Sequence, residues 1–289
     1  MQTSMRMLSD YLELTKPGVV WLIVLSTAVG FYMGVSGSLP LVLLMHTLAA
    51  TALLAGGTGA LNQWMERDLD ACMRRTEKRP LPAGRLRPLP ALLFGISLVF
   101  AGLLYLSLVV NTLTALLGLL TTTGYLFVYT PLKTRTPLAT FLGSFPGAMP
   151  PLIGWVAAQN KLELEGWVLF LVLFFWQFPH FYAIAWMYRE DYAKAGVLML
   201  PVVKPDGVAV GHRIILYAAL LLPVSLAPVL LGMTGMVYLI GASVCGLGYF
   251  LFGVFAAHRK TTYHARRLLQ ASVVYLPLIY FLLVFDKVR

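Results

Sequence analysis

The chain has 289 residues, of which 59% are hydrophobic and only 12% carry a charge, and its mean hydropathy is +0.78. Soluble domains carry a charge on roughly a quarter of their residues, so this composition excludes an ordinary soluble domain and favours a polytopic membrane protein. The net charge of +10 predicts no nucleic-acid partner, because inner-face loops beside an anionic lipid bilayer account for it.

The sequence predicts nine membrane-spanning helices. About 20 predominantly apolar residues are needed for a helix to cross a bilayer. Nothing resembling a linker or a low-complexity run divides the chain, so residues 1–289 are predicted to form a single all-α bundle. In chain order, the predicted spans are 19–37, 41–61, 89–109, 112–130, 138–157, 167–187, 214–231, 236–256 and 268–285.

The distribution of basic residues predicts the orientation. With the N-terminus inside, 19 of the 22 Lys and Arg residues lie on the inner side, and Lys161, Lys287 and Arg289 lie outside. The positive-inside rule therefore predicts a cytoplasmic N-terminus and an outer C-terminus in a plasma membrane. The long, charged connections 62–88, 129–137 and 188–213 fall on the inner side, where we expect the active site.

The first of these connections carries an acidic pattern. Residues 17–65 contain no Asp, Glu, Lys or Arg, and three carboxylates then follow within five residues. In a helix, Asn62, Glu66 and Asp70 share one face, which Arg74 continues. Glu66 and Asp70 repel each other at that spacing, and Mg²⁺ between them would stabilise the pair. A solvated loop held by salt bridges is the alternative.

The second connection begins with Tyr129, Lys133 and Arg135. Tyr129 and Lys133 are four residues apart, although Pro131 between them interrupts regular helical hydrogen bonding. Lys133 and Arg135 either bind a phosphate or act as ordinary inner-face anchors. The sequence leaves both interpretations open.

The third connection follows the sixth predicted span, which contains His180. Asp191 falls on roughly the same helical face as His180, whereas the adjacent Glu190 diverges by about 100°, so only one of the two acids is expected to meet a metal directly. An ionisable group inside a membrane is a functional candidate. A lone His is equally often a structural residue whose hydrogen bonds are made within the helical bundle. The neighbouring basic residues are Arg189 and Lys194.

Taken together, these segments resemble the intramembrane (UbiA-type) prenyltransferase superfamily. Asn62-x-x-x-Glu66-x-x-x-Asp70 is similar to its first acidic motif, and Tyr129-x-x-x-Lys133 is similar to its tyrosine–lysine motif. The 190–191 pair occupies the place of its second acidic motif. Within the superfamily, the strings at 14–17, 74–81, 176–181 and 191–201 resemble the heme O synthase (protoheme IX farnesyltransferase) family.

Both acidic motifs depart from the superfamily pattern. Glu66 stands where Asp is usual, which lengthens the ligand arm, and Tyr188 and Tyr192 stand where further carboxylates are expected. The number of Mg²⁺ ions therefore stays open.

The resemblance implies Mg²⁺-dependent transfer of a farnesyl group from farnesyl diphosphate to the 2-vinyl group of protoheme IX (heme B), a substrate rather than a cofactor. The products are heme O, a precursor for terminal oxidase cofactors, and diphosphate. Heme A synthase or oxidase assembly proteins are possible partners. The implied roles are metal binding by Asn62, Glu66, Asp70 and Asp191, catalysis by these four with Tyr129 and Lys133, and substrate binding by Arg74, Arg79, Lys133, Arg135, His180, Arg189, Glu190 and Lys194.

Three other functions fit parts of the sequence. A prenyltransferase acting on a quinone precursor shares the acidic motifs, but the Trp-Gln-x-Pro-His string at 176–180 argues against it. A transporter or channel would place acids deep within several spans, whereas here they are confined to span ends and loops. A structural assembly factor for a respiratory oxidase is distinguished only by turnover of the purified protein.

Overall fold

The computed structural model describes residues 2–288, with side chains from Arg6 onward, so Arg289 lies outside the described residues. This part of the chain is helical and contains no strand; a single β-bridge joins Thr234 and Lys287. Two π-helical segments, Leu106–Val110 and Gly124–Tyr129, continue α5 and α6. The helices are α1 (Gln2–Leu14), α2 (Pro17–Gly34), α3 (Leu41–Met65), α4 (Arg67–Ala71), α5 (Pro88–Tyr105), α6 (Thr112–Thr123), α7 (Thr130–Leu132), α8 (Ala139–Gln159), α9 (Leu164–Met187), α10 (Arg189–Lys194), α11 (Leu200–Val203), α12 (Val208–Leu230), α13 (Met236–Arg259) and α14 (Thr262–Phe285).

The all-helical membrane bundle is confirmed, but the count of nine spans is wrong by one. Within residues 2–288, eight helices are both long and apolar enough to cross a membrane. The exception is α8, the predicted span 138–157, which has 21 residues, among them three prolines. Most of α8 is buried, and it packs against α2 and α9. Since most of its surface contacts protein, α8 can be less apolar than its neighbours and accommodate its prolines.

Close packing around α8 depends on small residues. A Cβ atom added at Gly154 would lie 2.0 Å from the carbonyl oxygen of Thr27 on α2. Only glycine lets the two backbones approach this closely, as is typical of membrane helix pairs. On its other side, α8 meets an aromatic layer of α9, in which Phe178 stacks on Tyr217 of α12 at 3.8 Å between ring centroids.

The three predicted functional connections meet at one end of the bundle, which we call the site end. They are largely ordered rather than extended loops: 62–65 is the last turn of α3, and 188–213 contains α10, α11 and the start of α12. Met73 packs against Ala195 and Val197, which joins the first connection to the third. The amide of Leu198 donates to the carbonyl of Lys133 at 2.8 Å, which joins the third to the second.

The N-terminal helix α1 lies against the same end. Gln63 on α3 donates through Nε2 to the carbonyl oxygens of Glu13 and Leu14, at 3.2 and 3.0 Å. Arg85 forms ion pairs with Asp10 and Glu13. The side chain of Leu14 is fully buried beside Leu81 and Leu86 of the first connection, so α1 and this connection form one packed unit.

Candidate active site

The predicted acidic face is continuous across a break in the helix. Glu66 separates α3 from α4 with φ −97° and ψ 6°, yet its amide donates to the carbonyl of Asn62 and its carbonyl accepts from the amide of Asp70. The i to i+4 pattern therefore persists, and Asn62, Glu66 and Asp70 are all buried. α4 ends at Ala71, so Arg74 does not continue this face.

Each carboxylate of this face is paired with a cation, Glu66 with one from the second connection and Asp70 with one from its own. Lys133 donates from Nζ to Oε1 of Glu66 at 2.6 Å, and Arg79 donates from Nη1 to Oδ2 of Asp70 at 2.7 Å. Thr76 holds the turn between Asp70 and Arg79 by donating to the carbonyl of Asp70 at 2.8 Å. The charge repulsion expected between the two acids is thus offset by two separate ion pairs. We call Glu66, Lys133, Asp70 and Arg79 the acid–cation cluster.

Two side chains that contact the acidic face were missed by the sequence analysis. Lys16, which precedes α2, donates from Nζ to Oδ1 of Asn62 at 2.5 Å, and the amide nitrogen of Asn62 donates to the hydroxyl of Thr130 at 3.0 Å. Both residues are remote from Asn62 in the chain, so no local pattern connects them. Two signals were available for Lys16: it lies in the string at 14–17 that resembles the heme O synthase family, and it directly precedes an apolar span. The second signal is also the usual mark of an inner-face anchor.

The two lysines of the site differ in their acidity. Desolvation by burial lowers the pKa of Lys16 to about 7, with a further lowering by Arg79. Burial also disfavours the charged form of Lys133. The combined effects of Tyr129 and the Glu66 carboxylate are larger, so the pKa of Lys133 lies above its ordinary value. The difference follows from their partners, since Lys133 meets a carboxylate directly and Lys16 meets a neutral amide.

Tyr129 adds an aromatic wall to the acid–cation cluster. It ends the π-helical segment Gly124–Tyr129, a type of local irregularity that often accompanies functional sites. The ammonium group of Lys133 lies 4.5 Å from the centroid of its ring. A Cβ atom at Gly143 of α8 would lie 2.3 Å from this ring, so the glycine creates the space that Tyr129 occupies.

A second group of predicted residues forms a separate cavity of about 420 Å³ at the site end. It contains Arg74, Arg189, Glu190 and Asp191, whereas no residue of the acid–cation cluster lines it. We call it the arginine cavity. Its full lining is Arg74, Arg75, Met187, Tyr188, Arg189, Glu190, Asp191 and Thr262.

Besides Asn62 and Tyr129, which adjoin the acid–cation cluster, three predicted residues lie in neither group. His180 sits within α9, where Nδ1 is 2.7 Å from the hydroxyl of Ser272 and the ring stacks on Trp176 at 4.8 Å. Pro179 does not break this helix. The side chains of Arg135 and Lys194 are exposed at the surface.

The donor set of the acidic face fits a magnesium ion. Asn62, Glu66 and Asp70 present amide and carboxylate oxygens, which Mg²⁺ prefers, and only one oxygen of each carboxylate has a hydrogen-bond partner within the described residues. No group of three His, Cys, Asp or Glu side chains that could hold a metal occurs in this part of the chain. An ion bound here would therefore take further ligands from water or substrate, as Mg²⁺ commonly does.

Comparison with known proteins agrees with this geometry. A model of the UbiA prenyltransferase family matches residues 23–280. A protoheme IX farnesyltransferase of Solibacter usitatus (strain Ellin6076) is 51% identical, covering 96% of this chain and 98% of its own. The corresponding protein of Koribacter versatilis (strain Ellin345) is 45% identical over 97% and 94%.

Solved structures share the fold. A digeranylgeranylglyceryl phosphate synthase structure is 18% identical with a TM-score of 0.78, covering 97% of this chain and 98% of that one. A UbiA homolog from Archaeoglobus fulgidus bound to GPP and Mg²⁺ is 19% identical with a TM-score of 0.68, covering 96% and 99%.

The chain belongs to the UbiA prenyltransferase family and, within it, to the group of protoheme IX farnesyltransferases. It is therefore an integral membrane enzyme that transfers a prenyl group.

Proposed function

We propose that the enzyme transfers the farnesyl group of farnesyl diphosphate to the 2-vinyl group of protoheme IX, giving heme O and diphosphate. The observation that carries this proposal is the acid–cation cluster, in which two buried carboxylates and the two cations paired with them lie together at the end of an apolar bundle. The names of the relatives in two organisms support heme as the acceptor.

The cluster suits the departure of diphosphate. As the bond between the allylic carbon and oxygen breaks, negative charge develops on the leaving group, and preplaced cations stabilise it. Lys133 and Arg79 are held within 2.7 Å of their carboxylates, and Lys16 stands beside Asn62. We assign these three cations to the diphosphate.

We assign Asn62, Glu66 and Asp70 to Mg²⁺. Asp191, which the sequence offered as a further ligand, lines the arginine cavity instead, and within the described residues it forms no metal-binding group with Glu66 and Asp70. When bound, Mg²⁺ acts as a Lewis acid on diphosphate oxygens. Binding of GPP with Mg²⁺ by the Archaeoglobus fulgidus homolog supports this assignment.

Tyr129 and the bundle walls protect the reacting carbon. An allylic cation is quenched by water, so the site must exclude water until the vinyl group is in place. The aromatic ring of Tyr129, already in contact with an ammonium group at 4.5 Å, can stabilise a carbocation through the same face.

We infer that the site end faces the cytoplasm, with the C-terminus outside. The lower span count does not bring the C-terminus to the site end, because Lys287 lies at the other end of α2, where it donates from Nζ to the carbonyls of Tyr32 and Val35. The support is the charge distribution, because 19 of the 22 Lys and Arg residues lie on one side of the predicted topology. Heme O formed there would pass to heme A synthase or to terminal oxidase assembly.

The test is reconstitution. Detergent-solubilised protein receives heme B, farnesyl diphosphate and Mg²⁺, and the porphyrin is analysed by mass spectrometry. A porphyrin carrying a farnesyl group is the expected product. Unmodified heme B, from protein that elutes as a folded species, would contradict the proposal.

A further inference from the structure

The arginine cavity contains three guanidinium groups that form no ion pair with a carboxylate of the described residues. Within the described residues, arginine ion pairs involve only Arg67, Arg79 and Arg85. Arg74, Arg75 and Arg189 form none, although Glu190 and Asp191 line the same cavity. Most of their hydrogen-bond donors are therefore free to bind a ligand from outside the protein.

Aromatic rings hold two of these guanidinium groups in place. Arg75 lies over Tyr188 at 5.5 Å, and its Nη2 is 3.5 Å from the hydroxyl of Tyr192. Arg189 lies over Trp186 at 4.9 Å and donates from Nη1 to the carbonyl of Trp186 at 3.0 Å. A stacked guanidinium loses little further freedom when it binds, and its planar fork matches a carboxylate.

We propose that the arginine cavity binds the two propionate carboxylates of the porphyrin acceptor, an inference that rests on the proposed function. The vinyl and propionate groups of protoheme occupy opposite edges of the macrocycle. The reacting vinyl group must reach the acid–cation cluster, so the carboxylates must bind away from it. The structure provides such a place, because none of Glu66, Asp70 and Lys133 lines the cavity.

The position of the proposed metal ligands favours carboxylates over diphosphate as the ligand of the cavity. Three guanidinium groups face two lining acids, which leaves an excess of positive charge for an anion. A diphosphate that binds together with Mg²⁺ needs the oxygens of Asn62, Glu66 and Asp70, and none of these residues lines the cavity.

The test compares heme B with its dimethyl ester, in which both carboxylates are blocked. Binding of each to purified detergent-solubilised protein is titrated by the Soret absorbance. Arg75→Ala and Arg74→Ala are each expected to weaken heme B binding about tenfold, since a hydrogen bond to a charged group is lost. Binding of the diester stays at the wild-type value, as does the KM for farnesyl diphosphate. Glu190→Gln is expected to strengthen heme B binding without affecting the diester.

Two controls keep the result interpretable. Arg87→Ala removes the same charge from an exposed residue that does not line the cavity, and it should change neither titration. Arg74 makes no side-chain hydrogen bond or ion pair within the described residues, so its replacement should leave folding intact even where Arg75→Ala does not.

Equal weakening of both ligands by the Arg74 and Arg75 variants, or no weakening of either, would overturn the proposal. Wild-type protein that binds heme B and transfers no farnesyl group would contradict the proposed function instead, and the same titrations would still decide what the cavity binds.

Discussion

The acid–cation cluster and the arginine cavity use similar side chains in opposite ways. In the cluster, Glu66 and Asp70 are buried and each is paired with a cation. In the cavity, Arg74 and Arg75 are exposed and unpaired within the described residues. Burial explains the difference, because a buried charge without a partner is costly whereas an exposed one is not. Paired charges can hold a fixed geometry, and free charges can receive a ligand.

The largest expected effect is that of Asp70→Ala. It removes a proposed metal ligand and leaves Arg79 without its carboxylate, so we expect turnover to fall at least about a hundredfold. We also expect the free energy of unfolding to fall by up to about 3 kcal/mol. Heme O formation and thermal unfolding in detergent measure the two effects. Asp68→Ala is the matched control, because Asp68 lies two residues away with an 86% exposed side chain; wild-type behaviour of Asp70→Ala would remove the carboxylate from the mechanism.

Removal of the metal should affect the function of the acid–cation cluster and leave that of the arginine cavity unchanged. Treatment with EDTA is expected to abolish farnesyl transfer, and added Mg²⁺ should restore it, because the leaving diphosphate then lacks its Lewis acid. Heme B binding should persist, since the arginine cavity contains the carboxylate-binding groups without a metal. The Soret titration and the transfer assay are run on the same sample. Loss of heme binding together with the metal would show that the two regions act as one site.

A double-mutant cycle tests the pairing inside the cluster. Glu66→Gln and Lys133→Met are each expected to lower the free energy of unfolding by about 3 kcal/mol, since each leaves a mostly buried charge unpaired. The double variant should lose much less than the sum, because neither charge remains. We expect no heme O formation by either single variant or by the double variant. Strictly additive losses of stability would mean that the 2.6 Å ion pair contributes nothing as a pair.

The smallest effect is expected for Arg85→Ala. Its ion pairs with Asp10 and Glu13 are partly exposed, with 39% of the arginine side chain accessible, so the loss should be about 1 kcal/mol or less. Thermal unfolding measures it, and turnover should remain near the wild-type rate. If turnover instead disappears, α1 does more than pack against the first connection.

Local spacing predicted part of the site well. The faces containing Asn62, Glu66 and Asp70, and Tyr129 with Lys133, depend only on residues four apart, and the structure retains both relationships across a helix break and a π-helical segment. Arg74 was wrongly placed on the first face because α4 ends at Ala71. The nine-span count was wrong because α8 is mostly buried against other helices and need not be as apolar as a helix that faces lipid.

By itself, the sequence determined the all-helical membrane bundle, the acidic and tyrosine–lysine motifs and the family, because these follow from composition and from residues close together in the chain. Only the tertiary structure decided which charges are paired and which are free. Lys16 and Thr130 reach Asn62 from 46 and 68 residues away, and Lys133 reaches Glu66 from 67 residues away. Such contacts depend on how whole helices pack, and the periodicity of a single segment carries no information about them.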